Sequence, residues 1–197
     1  MSNAHDILVA GTDASVAGGY FQVGEITATA PTDATTALGT GYVNAGLITP
    51  DGVTLAETKS TEPVKDASGA IVRVITTEYG VRVTLSLLAP TLKSFQLMRG
   101  AENVTVSPEG DIVTKFAKAE LPVQSWAVHF VDAGRKIRLY LPEAQIVETS
   151  DIAYNVTTPT NYEITIECRP DADGGYAYEY RQGVPGVTVI APEPEEA

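Results

Sequence analysis

Short runs in which apolar and polar residues alternate one by one, separated by turn-forming residues, constrain this chain more than any other feature. A period of two puts successive side chains on opposite faces of an extended strand, whereas a surface helix needs apolar residues three and four apart. Val81, Val83, Leu85 and Leu87 alternate with Arg82, Thr84 and Ser86. Trp126, Val128 and Phe130 alternate with Ala127, His129 and Val131, and Ile137, Leu139 and Leu141 with Arg138 and Tyr140. The most regular run sets Tyr162, Ile164, Ile166 and Cys168 against Glu163, Thr165 and Glu167, and Tyr176, Tyr178 and Tyr180 repeat the pattern. Each run is read as a strand with one apolar face.

Between the runs lie Pro50-Asp51-Gly52, Ser68-Gly69, Pro108-Glu109-Gly110-Asp111, Asp132-Ala133-Gly134 and Asp171-Ala172-Asp173-Gly174-Gly175, residues that tolerate the positive φ of tight hairpins. Sequence neighbours are therefore expected to pair. The fold class is mainly β, a sandwich or barrel of about ten strands, since no repeated helical crossovers separate them. One segment departs from the pattern. After Pro90, at the expected first helical position, Leu92, Phe95 and Met98 fall three apart, and Arg99-Gly100 supplies a basic last turn and a C-terminal cap. This predicts one short helix flanking the sheets.

Residues 1–40 are rich in Ala, Thr, Gly and Asp and poor in large apolar groups, which predicts a partly flexible N-terminal arm ahead of a β-domain over 41–185. Residues 186–197 end in Pro192-Glu193-Pro194-Glu195-Glu196 and are expected to form an acidic tail. The polar stretch 57–69, carrying Glu57, Lys59, Glu62, Lys65 and Asp66, reads as a long loop between two strands, and long loops in small domains tend to carry function.

Thirteen Lys and Arg against twenty-five Asp and Glu give a net charge of −12, the wrong sign for gripping a phosphate backbone. No apolar run approaches the ~20 residues of a membrane-spanning helix. The first residues lack a basic stretch followed by an apolar one, so synthesis in the cytosol is expected. The two histidines are His5 and His129, and the single cysteine, Cys168, faces inward on its strand. No glycine-flanked serine elbow accompanies them, and Asp171-Ala172-Asp173-Gly174 lacks the remaining acids and closing Glu of a calcium loop. No catalytic, metal-ligating or cofactor-binding residues are assigned, and the chain is read as a non-enzyme.

The run Gly41-Tyr42-Val43-Asn44-Ala45-Gly46-Leu47-Ile48-Thr49-Pro50-Asp51-Gly52-Val53-Thr54 resembles the opening of major tail tube proteins from long-tailed, siphovirus-type bacteriophages of actinobacteria. The order of features after it matches too: an extended loop, the strands beginning at Ile71 and Val81, the helix ending in Arg99-Gly100, Trp126-Ala127-Val128-His129-Phe130, Arg138-Leu139-Tyr140-Leu141-Pro142-Glu143-Ala144, and the strand from Tyr162. The resemblance covers roughly residues 7–185. It implies a β-sandwich subunit with a flanking helix, forming homohexameric rings that stack into a hollow conduit for DNA, which passes without specific binding. It further implies tape-measure, tail terminator and tail tip proteins as partners, no membrane, no cofactor, and a place in the virion tail after assembly in the host cytoplasm. In similar tube proteins the position of 57–69 is that of an inter-ring contact, so Glu57, Lys59, Glu62, Lys65 and Asp66 are its expected residues. The alternative is another β-rich virion part, a tail terminator or a capsid decoration protein.

Overall fold

The structure, a computed structural model, describes residues 9–183. In chain order it contains β1 (Gly11–Thr12), β2 (Phe21–Gly24), β3 (Tyr42–Asn44), β4 (Gly46–Lys65), β5 (Ile71–Pro90), α1 (Leu92–Arg99), a 3-10 turn (Ala101–Asn103), β6 (Val104–Val106), β7 (Ile112–Thr114), β8 (Gln124–Asp132), β9 (Arg135–Thr149), β10 (Tyr162–Arg169) and β11 (Tyr178–Arg181). The mainly β class with one flanking helix is therefore observed. Nine strands form one antiparallel sheet, ordered β3-β2-β8-β9-β10-β5-β4, with β1 beside β8 and β11 beside β9; β6 and β7 form a separate ribbon.

The two end strands of that order, β3 and β4, are consecutive in the chain with only Ala45 between them. A sheet whose first and last strands are one continuous stretch of backbone must roll up, so the architecture is a partly closed barrel. Ala45 N–H donates to the Phe21 carbonyl at 2.9 Å on one side of the corner. Gly46 makes the corner itself: its φ is +113°, and a Cβ there would run into the Ala89 carbonyl oxygen. Inside the roll lie Phe21, Val23, Val83, Leu85, Leu87, Trp126, Val128, Leu141, Ile164 and Ile166, all essentially solvent-free. Phe21 and Trp126 stack with ring centroids 5.6 Å apart, and the Trp126 indole N–H donates to the Ala144 carbonyl at 3.2 Å. Each fully buried side chain of this size contributes about 1.5–3 kcal/mol relative to exposure.

α1 closes one flank. Thr91 caps it by accepting from Ser94 N–H, and Gly100, at φ +86°, ends it with its N–H on the Gln96 carbonyl at 2.8 Å. Leu97 and Met98 enter the core. Pro90, expected to open the helix, instead ends β5, because the Thr91 hydroxyl is the group that satisfies a free N-terminal donor.

Four further expectations differ in the folded chain. Part of residues 1–40 belongs to the body: β1 and β2 lie in the main sheet, and Phe21 and Val23 are fully buried, two apolar residues sufficing to anchor the segment. Pro50-Asp51-Gly52 is not a hairpin turn but a bulge inside β4. Ile48 pairs with Leu87 and Val53 with Leu85, so five residues of β4 span two steps of β5, with Gly52 at φ +79°. β8 and the first half of β9, through Pro142, are covered on both faces, and residues 57–69 are strand for most of their length. The acidic tail 186–197 and Met1–Leu8 lie outside the described residues.

The second covered face follows from one residue. Arg138, on the outward side of β9 and 2% exposed, donates to the carbonyls of Asp33 at 2.6 Å and Thr36 at 2.5 Å, and its Nε lies 3.4 Å from His129 Nδ1. Those bonds fasten the 25–41 segment over β8 and β9, where Tyr42, Ala127 and Tyr140 form a smaller core with Ala28 and Leu38.

Candidate assembly surfaces

The long β4–β5 hairpin has two regimes. From Val53 to Glu57, β4 pairs with β5 while β10 pairs along the other edge of β5, as far as Cys168 opposite Val81. Beyond Val81, β5 pairs with β4 alone among the described residues, so residues 58–80 form a two-stranded arm. Eight steps from the Glu57–Val81 pair to Lys65 opposite Ile71 give it a length of roughly 27 Å. Tyr79 meets Tyr176 edge-on at its base, with centroids 5.1 Å apart.

The arm is exposed on both faces. Val64, Ile71, Val72, Val74 and Tyr79 are 40–63% accessible. The charged residues of β4 at and beyond its base do not face counter-charges: Glu57, at the base, lies opposite Val81, Lys59 opposite Tyr79, Glu62 opposite Ile75 and Lys65 opposite Ile71. Among the described residues none of these four has an ion-pair partner. By strand alternation Glu57, Lys59 and Lys65 share one face and Glu62 takes the other. Asp66 has a different position, in the turn at the tip. Its carboxylate accepts from Ser68 N–H at 2.8 Å, the Ser68 hydroxyl at 2.6 Å and Ala70 N–H at 3.0 Å, and the Ser68 hydroxyl first among these holds its pKa below the usual range.

A second surface is the outward face of the sheet formed by β4, β5, β10 and β9. Opposed residues share a face, so Thr54, Thr84, Thr165 and Glu148 form one row and Ala56, Arg82, Glu167 and Gln145 the next, flanked by Ser86 beside Glu163 and by Arg169 beside Glu143. Arg82 pairs with Glu167, and Arg169 donates to Gln145 at 2.7 Å. Four carboxylates stand against two guanidiniums, with hydroxyls and a methyl filling the gaps. The opposite face of the same strands is the core: Val81, Val83, Leu85, Ile164, Ile166 and Ile146 are buried. The alternation that predicts β-structure also builds this polar wall.

Residues with catalytic potential sit apart from both surfaces. Cys168 is buried in the main core, where desolvation pushes its thiol up to about 12. His129 is buried on the other side of the sheet, where burial first and then the Arg138 charge bring its pKa down to about 4. Asp171 accepts from Gly175 N–H at 2.8 Å and from the Tyr178 hydroxyl at 2.7 Å, which makes the 171–175 segment a hydrogen-bonded turn.

The sequence model of one family, phage tail tube protein, matches residues 1–180. The chain belongs to the phage tail tube protein family. As a tail tube protein it is a structural component of the phage tail and not an enzyme. No curated protein matches the sequence. Among solved structures it is similar to the tube-terminating cap of the anti-feeding prophage, at 11% identity over 91% of this chain and 98% of that one, with a TM-score of 0.44. It is also similar to a chain from the sheath–tube complex of an extracellular contractile injection system, PVC, in its extended state, at 10% identity with the same coverage and TM-score.

Sequence reasoning placed the five candidate arm residues on one element but missed that it is a ribbon. The strand beginning at Ile71 was expected; its partner was not, although Thr58, Thr61 and Val64 have the β-branched composition of strands. The Arg138 clamp left no comparable trace, because its acceptors are backbone carbonyls.

Proposed function

We propose that the subunit forms homohexameric rings that stack into the tail tube through which DNA is delivered, with the arm over residues 58–80 bridging to the next ring. The arm carries this reading. A two-stranded ribbon is marginal in water without a third strand or a packed face, yet this one extends roughly 27 Å with apolar groups exposed on both sides. A neighbouring copy would cover those groups, and Lys59, Glu62 and Lys65 would find counter-charges there that the arm does not supply, while Glu57 already bonds the Tyr79 hydroxyl at the base. Asp66 contributes by shaping the tip.

The polar face of β4, β5, β10 and β9 is assigned to the lumen. DNA must slide past the wall without adhering, and Glu143, Glu148, Glu163 and Glu167 among small hydroxyls repel phosphate. Rings of this kind would join a tape-measure protein inside and terminator and tip proteins at the ends, with assembly in the host cytoplasm. Negative-stain microscopy of purified protein, with or without tape-measure protein, tests the reading. Hollow cylinders of uniform width are expected, and particles that never elongate would overturn it.

A further inference from the structure

We propose that the recess bordered by Met98, Arg99, Phe116, Lys118 and Leu121 is the docking site for the Pro- and Glu-rich segment 191–197 of a neighbouring copy, an inference that rests on the tube reading for the presence of that neighbour. The recess has a volume of about 370 Å³ and no acidic residue in its lining, in a chain whose net charge is −12. Phe116 is 69% exposed, and the Arg99 guanidinium lies 4.6 Å from its ring centroid. Lys115 and Lys118 are exposed, and neither they nor Arg99 has a carboxylate partner among the described residues. An exposed aromatic ring beside cations that have no carboxylate partner suits a ligand that is both proline-containing and acidic: pyrrolidine rings pack on the ring's free face and carboxylates meet the cations.

Residues 184–197 supply that chemistry. They contain Glu193, Glu195 and Glu196 interleaved with Pro192 and Pro194, and no basic residue. Proline fixes φ near −65°, so such a segment loses less conformational freedom on docking than an ordinary one. The geometry favours a neighbour's segment over the chain's own. Gln182 N–H bonds the Lys136 carbonyl at one end of β9, while Leu121, on the recess, is held by Gln145 nine residues further along β9, about 30 Å away if the strand is straight. From Gly183 a fully extended chain reaches Pro192 over about the same distance and Glu195 over about 40 Å, so the chain's own segment would have to run nearly taut around the sheet. In stacked or ring-packed copies no such limit applies.

Zero-length carbodiimide coupling of full-length protein, assembled from an equal mixture of ordinary and nitrogen-15-labelled subunits, tests this. Coupling of Lys118 or Lys115 to Glu193, Glu195 or Glu196 as mixed-isotope pairs is expected, falling at least tenfold on Lys118→Glu and returning when Glu195→Lys is added. Absence of mixed pairs, same-isotope pairs alone, or coupling spread equally over Lys59, Lys65 and Lys136 would overturn the inference. Microscopy of the same samples separates the two readings. Tubes without the cross-link sink only the docking site, whereas mixed pairs in an oligomer that is not a tube uphold the contact and sink the tube reading.

Discussion

The Arg138 guanidinium and the Asp33 carbonyl oxygen, 105 residues apart in sequence, meet at 2.6 Å and tie the segment over residues 25–41 to the back of β9. Removing the donor strips the half-buried Asp33 carbonyl and the more exposed Thr36 carbonyl of their partner, the former costing about 1–3 kcal/mol, and takes away the packing of a side chain that is itself buried. Arg138→Met should lower unfolding free energy by about 2–4 kcal/mol in chemical denaturation. It should also speed proteolysis between residues 25 and 41 before the rest of the chain is cut. Unchanged cleavage there would mean that Tyr42, Leu38 and Ala28 hold the segment without the clamp.

The same cluster sets an acid dependence. His129 has a folded pKa of about 4 against an ordinary 6.5. The unfolded chain therefore takes up a proton below pH 6.5 that the folded protein does not accept until about 4. Stability is full above 6.5 and falls as pH drops towards 4, by at most about 3 kcal/mol from this group. Asp13, whose pKa is lowered chiefly by the Ser15 hydroxyl, adds a further loss at more acid pH. Thermal unfolding at several pH values should show His129→Gln removing the part of the slope between 6.5 and 4; an identical slope would show that other groups produce it.

Gly46→Ala tests the corner that closes the sheet. The substitution forces an L side chain into φ +113° and against the Ala89 carbonyl. A loss of at least about 2 kcal/mol is expected. Alanine at the exposed tip glycine, Gly69, also has positive φ but meets no atom within 4 Å, so it should cost less. Equal losses at the two sites would remove steric closure as the cause.

The polar face makes a prediction about DNA. Glu148→Lys with Glu163→Lys reverses two exposed charges in neighbouring strands and leaves the core face untouched. Assembled variant tubes should retain DNA at low salt and release it steeply as salt rises, with wild-type tubes retaining none. Variant tubes that behave like wild type would place this face away from the lumen.

How far the sequence could be read depended on the physical origin of each feature. Val81 to Leu87 and Tyr162 to Cys168 were legible because burial on one side of a strand writes itself into every second residue. α1 was legible from Leu92, Phe95 and Met98 together with Gly100. The bulge at Pro50-Asp51-Gly52 was not, since the same residues serve a turn between strands or a kink within one, and only the pairing of Ile48 and Val53 to Leu87 and Leu85 decides. The rolled closure at Ala45 and Gly46 depends on contacts made across the whole chain. Local alternation in β8 suggested a polar side where His129 is buried, because its cover comes from a distant segment of small residues.

The central claim is that the arm joins copies of this subunit. A variant lacking residues 60–78, with Lys59 and Tyr79 linked through Asn-Gly, keeps the pairing of Glu57 with Val81 and removes the exposed ribbon. Sedimentation and negative-stain microscopy of this variant beside wild type give the most direct test. The account predicts long tubes from wild type and folded, short oligomers or single rings from the variant, and tubes of normal length and width from the shortened protein would contradict it.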